Sequence, residues 1–212
     1  MKSATESQIV PNPTVKLVLL GDSGVGKTCL VNRFCHKKYL GESHLPTIGV
    51  DHKMIDLKTK DLLLKAMVWD TSGQELFDAL SKTYYQNAHG VILVFSLTDK
   101  ESFLHVNKWM DRIKNEAPEH VSIILVGNKS DDSDNRAVDF QEAKSKAKNL
   151  GLHYLEVSAR DGSGVSQVFG ELANSMAEHL ADYKQENSVR ISKNPSVASE
   201  HSQKPQGSKC SC

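Results

Sequence analysis

Gly21-Asp22-Ser23-Gly24-Val25-Gly26-Lys27-Thr28 has the spacing G-x-x-x-x-G-K-[ST], and its flanks decide how it folds. The apolar run Val15-Lys16-Leu17-Val18-Leu19-Leu20 before it reads as a strand, and Cys29-Leu30-Val31-Asn32-Arg33-Phe34 after it is helix-compatible. Strand, glycine loop and helix in that order make a phosphate-binding unit. The glycines let the backbone curl so that successive N–H groups from Ser23 to Thr28 point inward, and the helix N-terminus adds the positive end of its dipole. In such a loop Lys27 reaches the β- and γ-phosphates of a nucleotide, and the Thr28 hydroxyl ligates Mg²⁺. The alternative is a glycine-rich turn followed by a chance lysine, against which the strand and helix context argues.

The rest of the chain limits what this unit belongs to. With 212 residues, 39% of them hydrophobic and 25% charged, one sizeable core with tails is the simplest organisation. A formal net charge of zero gives no electrostatic footprint for nucleic acid. No apolar run approaches the ~20 residues of a membrane span. Met1 to Pro13 lacks the apolar centre of a signal peptide, and Lys2 excludes N-myristoylation. Cys29 and Cys35 fall on the helix after the glycine loop, while Cys210 and Cys212 lie at the far end of the chain. That is no disulfide framework, and a reducing cytosol is the default compartment. The nine histidines show no metal-ligand spacing.

Residues 1–14 are expected to be a flexible leader, 15–182 a single folded domain and 183–212 a disordered tail with almost no large apolar residue. Ile48 to Leu57 and Leu62 to Trp69 flank Lys58-Thr59-Lys60-Asp61 and read as an antiparallel hairpin. Gly90 to Phe95 and Val121 to Val126 are near-continuous apolar runs, as expected of strands covered on both faces. Between them Phe103, Val106, Met110 and Ile113 recur at helical spacing, with Asp99 or Ser102 as the cap. A helix through Ala143 and Ala147 ends at Gly151, His153 to Val157 is a short strand, and Val165 to Leu180 carries a last apolar helical face. The pattern predicts an α/β fold: a mostly parallel six-stranded sheet with one antiparallel edge strand and helices on both faces.

Three further stretches carry chemistry. Trp69-Asp70-Thr71-Ser72-Gly73-Gln74-Glu75 ends an apolar strand, where Asp70 would hold Mg²⁺ from the side opposite Thr28. Gly73 would bring its N–H close to a terminal phosphate, and Gln74 would orient an attacking water. In Asn128-Lys129-Ser130-Asp131, a carboxylate at Asp131 can accept two hydrogen bonds, which guanine offers and adenine does not. Ser158-Ala159-Arg160, after the last short strand, is placed to finish the base pocket with backbone N–H groups. Asp132, Ser133 and Asp134 lack the spacing and the glycine of a calcium loop and read as solvated.

In this order and spacing the four stretches resemble the small GTPases of the Ras superfamily, P-loop NTPases, over roughly residues 15–183. Ile48-Gly49-Val50-Asp51, Trp69-Asp70-Thr71 and Tyr84-Tyr85-Gln86-Asn87-Ala88 are similar to motifs of the Rab branch. By that resemblance Thr47 ligates Mg²⁺ and senses the γ-phosphate, Tyr39 stacks on guanine, and Cys29 and Lys129 join Asn128, Asp131 and Ser158 to Arg160 on the base side. Lys37 to Thr47 and Thr71 to Thr83 become the two switch segments. His52, Ser72, Leu76, Asp78 and His44 depart from the Rab pattern, and the stretch from Tyr39 to Thr47 is one residue longer. These departures fall on the surface that partners read. The ending Lys209-Cys210-Ser211-Cys212 resembles the Rab Cys-x-Cys signal, in which both thiols take geranylgeranyl chains and two chains make anchoring stable.

The resulting expectation is a monomeric GTP/GDP switch that hydrolyses GTP with Mg²⁺, Lys27 and Gln74, slowly by itself because no built-in arginine finger is evident. Family resemblance adds an exchange factor, a GTPase-activating protein, a GDP-dissociation inhibitor, an escort protein and effectors as partners. It places the chain on the cytoplasmic face of an intracellular membrane, cycling with the cytosol. The alternatives are a module that holds guanine nucleotide without useful hydrolysis, and a kinase acting on a small acceptor.

Overall fold

Apolar strands alternating with amphipathic helices bury their surface best as a sheet between helical layers. The computed structural model describes residues 12–39, 41, 47, 50–72 and 82–193, and within them six strands run in the order β2-β3-β1-β4-β5-β6. They are β1 (Thr14–Leu20), β2 (Val50–Lys58), β3 (Leu63–Thr71), β4 (Gly90–Ser96), β5 (Ser122–Asn128) and β6 (His153–Glu156). Only β2, at the edge, is antiparallel to its neighbour; all other pairings are parallel. The β2–β3 hairpin closes where the Thr59 N–H and hydroxyl both donate to the Leu62 carbonyl, at 2.9 and 2.8 Å.

Side chains alternate across each strand, so the central strands serve two cores. On one face Val18, Leu20, Val91, Leu93, Phe95 and Leu125 pack with Phe103 of α3 (Lys100–Leu104), Val106, Trp109, Met110 and Ile113 of α4 (Val106–Glu116), and Ala143 and Ala147 of α5 (Phe140–Leu150). The alternate residues Leu17, Leu19, Ile92 and Val94 are equally buried. Their side is closed by α1 (Lys27–His36) and by α6 (Val165–Lys193), whose Phe34 and Phe169 rings stack at 4.1 Å. A four-residue helix, α2 (Lys82–Tyr85), has no counterpart in the sequence reading.

Three details differ from or refine the expectations. The helix before β5 is interrupted at His105, giving α3 and α4. Its cap is Asp99, whose carboxylate accepts from the N–H groups of Glu101 and Ser102. Ser102 instead turns inward, donating to the Asp99 carbonyl and accepting from the Ser96 N–H. Helix α6 runs to Lys193, into the stretch expected to be disordered from residue 183. An existing helix propagates cheaply through Lys, Gln, Glu and Arg, and no proline intervenes before Pro195.

The chain divides into two compact units, Met1–Ala177 and Glu178–Cys212. The sheet, α1 to α5 and the first part of α6 belong to the first; the described part of the second is the remainder of α6. No helix among the described residues is long and apolar enough to cross a membrane.

Candidate functional site

The loops after β1, β3, β5 and β6 converge on a cleft of about 410 Å³, at the carboxyl ends of parallel strands where open sheets bind ligands. Gly24, Gly26, Lys27, Thr28 and Cys29 form one wall. Gly26 has φ +99°, and a Cβ there would lie 2.3 Å from the Asn128 amide nitrogen, so only glycine fits. Lys27 is 4% exposed, and its ammonium donates to the carbonyls of Gly21 (2.7 Å) and Asp22 (2.9 Å), holding a positive charge across the loop. Ser23 and Val25 do not line the cleft: Ser23 is exposed, and the Val25 side chain is buried in the core.

On the second wall the Thr28 and Thr47 hydroxyls meet at 2.7 Å, joining the start of α1 to the long connection before β2. Behind them Asp70, at the end of β3, is 0% exposed, and neither carboxylate oxygen has a hydrogen-bond partner among the described residues. Burial pushes its carboxyl above the ordinary range, opposed first by the nearby Thr28 hydroxyl and then by the Lys27 and Lys53 ammonium groups. Two hydroxyls in contact beside a buried, orphaned carboxylate are an all-oxygen donor set of the kind a hard divalent cation takes. Magnesium therefore fits the residues present. Lys53 donates to the Asn32 side-chain oxygen at 2.8 Å, and Asn32 donates to the Thr28 carbonyl at 3.0 Å, bracing β2 against α1.

The far end of the cleft is built from Tyr39, Lys129, Asp131, Ala159 and Arg160. Asn128 is 2% exposed and works as a brace: its amide donates to the Val25 carbonyl (2.8 Å) and accepts from the Ala159 N–H (3.1 Å). The Ser158 hydroxyl, wholly buried, donates to the Asp131 carboxylate at 2.5 Å and accepts from the N–H groups of Arg160 and Asp161. Lys129 holds φ at +69°, a left-handed turn that lets Asn128 face the glycine loop while Asp131 lines the cleft. Cys29 lies between the two ends. Burial and the Asp70 charge keep its thiol protonated, although Lys129 pulls the other way.

Residues 16–178 match the Ras family. Similar proteins include the Ras-related protein RABD2a of Arabidopsis thaliana, 42% identical over 175 residues, covering 82% of this chain and 86% of that one. The Ras-related protein RIC1 of Oryza sativa is 44% identical over 170 residues, 78% of this chain and 84% of its own. The GTP-binding protein ypt1 of Schizosaccharomyces pombe is 42% identical over 167 residues, 79% and 82%.

This chain belongs to the Rab branch of the Ras family.

On the β2–β3 surface of this Rab protein, aromatic rings and a lysine cluster around Trp69. His52 packs edge-on against Trp69 (centroids 4.2 Å), Trp69 neighbours Tyr84 (6.2 Å), and the Lys16 ammonium sits 3.8 Å over the Trp69 ring. Beside them Met54 and Met67, paired across the hairpin, are exposed. Several expected site residues lie outside the described residues: Gly73, Gln74, Cys210 and Cys212, with the departures His44, Leu76 and Asp78. Of the residues read as a solvated loop, Asp132 lines the cleft, as do Gly41, Thr71 and Ser72.

Two connections in this Rab chain had no sequence signal. Asp22 of the glycine loop receives the Trp109 indole N–H (2.8 Å) and pairs with His105 (2.6 Å), tying the loop to α4. Arg33, in the last turns of α1, donates to the carbonyls of Lys37, Ala159 and Arg160. Both depend on where the chain returns, which no local spacing encodes.

Proposed function

We propose that this Rab-branch GTPase is a guanine-nucleotide switch in vesicle traffic, with its two states set by the γ-phosphate. It binds GTP and GDP, hydrolyses GTP to GDP and phosphate, and acts through regulators and effectors. The observation that carries the reading is the 2.7 Å contact between the Thr28 and Thr47 hydroxyls beside the orphaned Asp70. It joins the phosphate loop to the connection that a γ-phosphate would pull taut. Thr28, Thr47 and Asp70 would hold Mg²⁺, which when bound neutralises charge on the phosphate oxygens.

The chain's own residues do the rest. N–H groups from Ser23 to Thr28, that of Gly73, and the Lys27 ammonium take up charge on the terminal phosphate. Gln74 orients the water that attacks the γ-phosphorus in line. Asn128 holds the phosphate loop and the base loop together, Tyr39 and Lys129 flank the base, and Asp131 reads guanine. The Ala159 and Arg160 backbone closes the pocket. Exchange factor, GTPase-activating protein, GDP-dissociation inhibitor and escort protein are the regulators in this reading, and effectors dock through the two switch segments. Geranylgeranyl chains on Cys210 and Cys212 hold the chain on the cytoplasmic face of an intracellular membrane, with residues 183–212 as the tether.

The family match favours hydrolysis over a module that only holds guanine nucleotide. Single-turnover hydrolysis of preloaded GTP tests the assignment. Gln74→Leu should slow intrinsic phosphate release at least about tenfold, and an unchanged rate removes Gln74 from catalysis. No phosphate release by the native chain would remove the hydrolytic switch altogether.

A further inference from the structure

The guanidinium of Arg33 spends its donors on three backbone carbonyls that belong to two different loops. Nε donates to Ala159 O at 2.8 Å, one terminal nitrogen donates to Arg160 O, and the other donates to Lys37 O at 2.8 Å. Gly162 lies against the stem: a Cβ built there would sit 3.4 Å from the Arg33 Cδ. Lys37 is pinned at both ends, because its N–H also donates to the Arg33 carbonyl at 3.0 Å. That double hold keeps Lys37 in the left-handed region (φ +54°), which a residue with a Cβ does not occupy without compensation.

The consequence lies on the other side of the base loop. Ser158, which orients Asp131 through a 2.5 Å hydrogen bond, is the residue before the two whose carbonyls Arg33 holds, and Arg160 also reaches the second Asp131 oxygen at 3.5 Å. Two residues beyond Lys37, Tyr39 lines the same cleft. We infer that Arg33 is a positioning residue which, by fastening the base loop and the start of the first switch segment to α1, sets how long guanine nucleotide stays bound and how well Asp131 recognises the guanine amine. This rests on the reading that guanine nucleotide fills the cleft. Lysine cannot replace the fork, since a single ammonium nitrogen cannot reach the three carbonyls that the planar guanidinium meets with three separate nitrogens.

The test compares release of GDP and of inosine diphosphate, whose base lacks the exocyclic amine, from the native full-length chain and from Arg33→Lys and Arg33→Met. The expected result is GDP release faster by at least about tenfold, the equivalent of one hydrogen bond to a charged group. The ratio of inosine diphosphate to GDP release rates should also fall toward one, because a loosened Asp131 no longer distinguishes the two bases. GDP release within twofold of native in Arg33→Lys overturns the inference. So does equal acceleration of both nucleotides, which is what a merely structural arginine produces. A native chain that retains GDP in either of those outcomes leaves the switch reading standing, whereas a native chain that takes up no GDP sinks both.

Discussion

Asp70→Asn should stabilise the metal-free protein and yet remove most of the stabilisation it gains from nucleotide. The carboxylate is fully buried with neither oxygen partnered among the described residues, and the opposing Thr28 hydroxyl and Lys27 and Lys53 charges do not cancel the effect of burial. A buried charged acceptor left without partners costs at least ~1–3 kcal/mol. Asparagine keeps the shape and removes the charge but brings an amide that also lacks a donor-matched site, so a net gain of about 1–2 kcal/mol is expected. At roughly 2–4 °C per kcal/mol for a domain of this size, the variant should melt about 2–8 °C higher.

Saturating ligand reverses the order. Ligand at about a thousand times its Kd adds ~4 kcal/mol to the native protein. The variant, with a neutral group at the cation site, gains far less. The assay is thermal unfolding of nucleotide-stripped protein in EDTA and again with GDP and Mg²⁺. The pH dependence carries a definite sign. Asp70 has its folded value raised above 3.8, so in the window between the two values the folded state holds a proton that the unfolded state has lost. Native stability therefore falls as pH rises through the raised value. The advantage of Asn is complete above that value and vanishes below 3.8, where both states are protonated. A variant no more stable than native in EDTA at neutral pH refutes the uncompensated-charge argument. A variant that keeps its lead with GDP and Mg²⁺ refutes the placement of Asp70 at the cation.

Four further outcomes are expected. Gly26→Ala, whose methyl would fall 2.3 Å from the Asn128 amide in a left-handed backbone, should lose the Asn128–Val25 brace as well as incur strain. A combined cost of about 2–5 kcal/mol should appear in chemical denaturation. Gly24→Ala, with nothing within 4 Å of the added atom, should show the ~1–2 kcal/mol strain alone. Asp131→Asn should abolish most of the preference for GTP over ATP, a factor of ~10⁴ or more for a site of this type, and competition binding that still favours GTP strongly would remove Asp131 as the guanine reader. The double variant Cys210→Ser with Cys212→Ser should shift a fluorescently tagged chain from membrane to cytosol, and unchanged localisation would end the dual-lipid reading.

What could be read from residues alone was whatever is encoded within a few positions. The glycine loop announces itself by spacing, the central strands by uninterrupted apolar runs, and the α5 terminus by Gly151, which does adopt a left-handed C-cap. Asp131 and Asp70 could be assigned chemistry because each follows such a run at a fixed offset. Where two local signals competed, as with Asp99 and Ser102 for one cap, spacing left the choice open and packing made it: Ser102 is drawn to the Ser96 N–H at the end of β4. The interruption at His105 follows the same rule, since no glycine or proline marks it. Partners brought together by chain return were invisible. Arg33 and Ala159 are 126 positions apart, and Asp22 lies 83 and 87 positions from His105 and Trp109. Asp70 depends on tertiary structure in another way, because that an acid is buried without a partner is a property of everything packed around it. Sequence alone determined the strand and helix pattern and, at the glycine loop, Asn128 and Asp131, groups that line the cleft, because these follow from local sterics and spacing. Only the tertiary structure decided which residues brace those groups and which charge is left unsatisfied, because hydrogen bonds and desolvation act on distance in space.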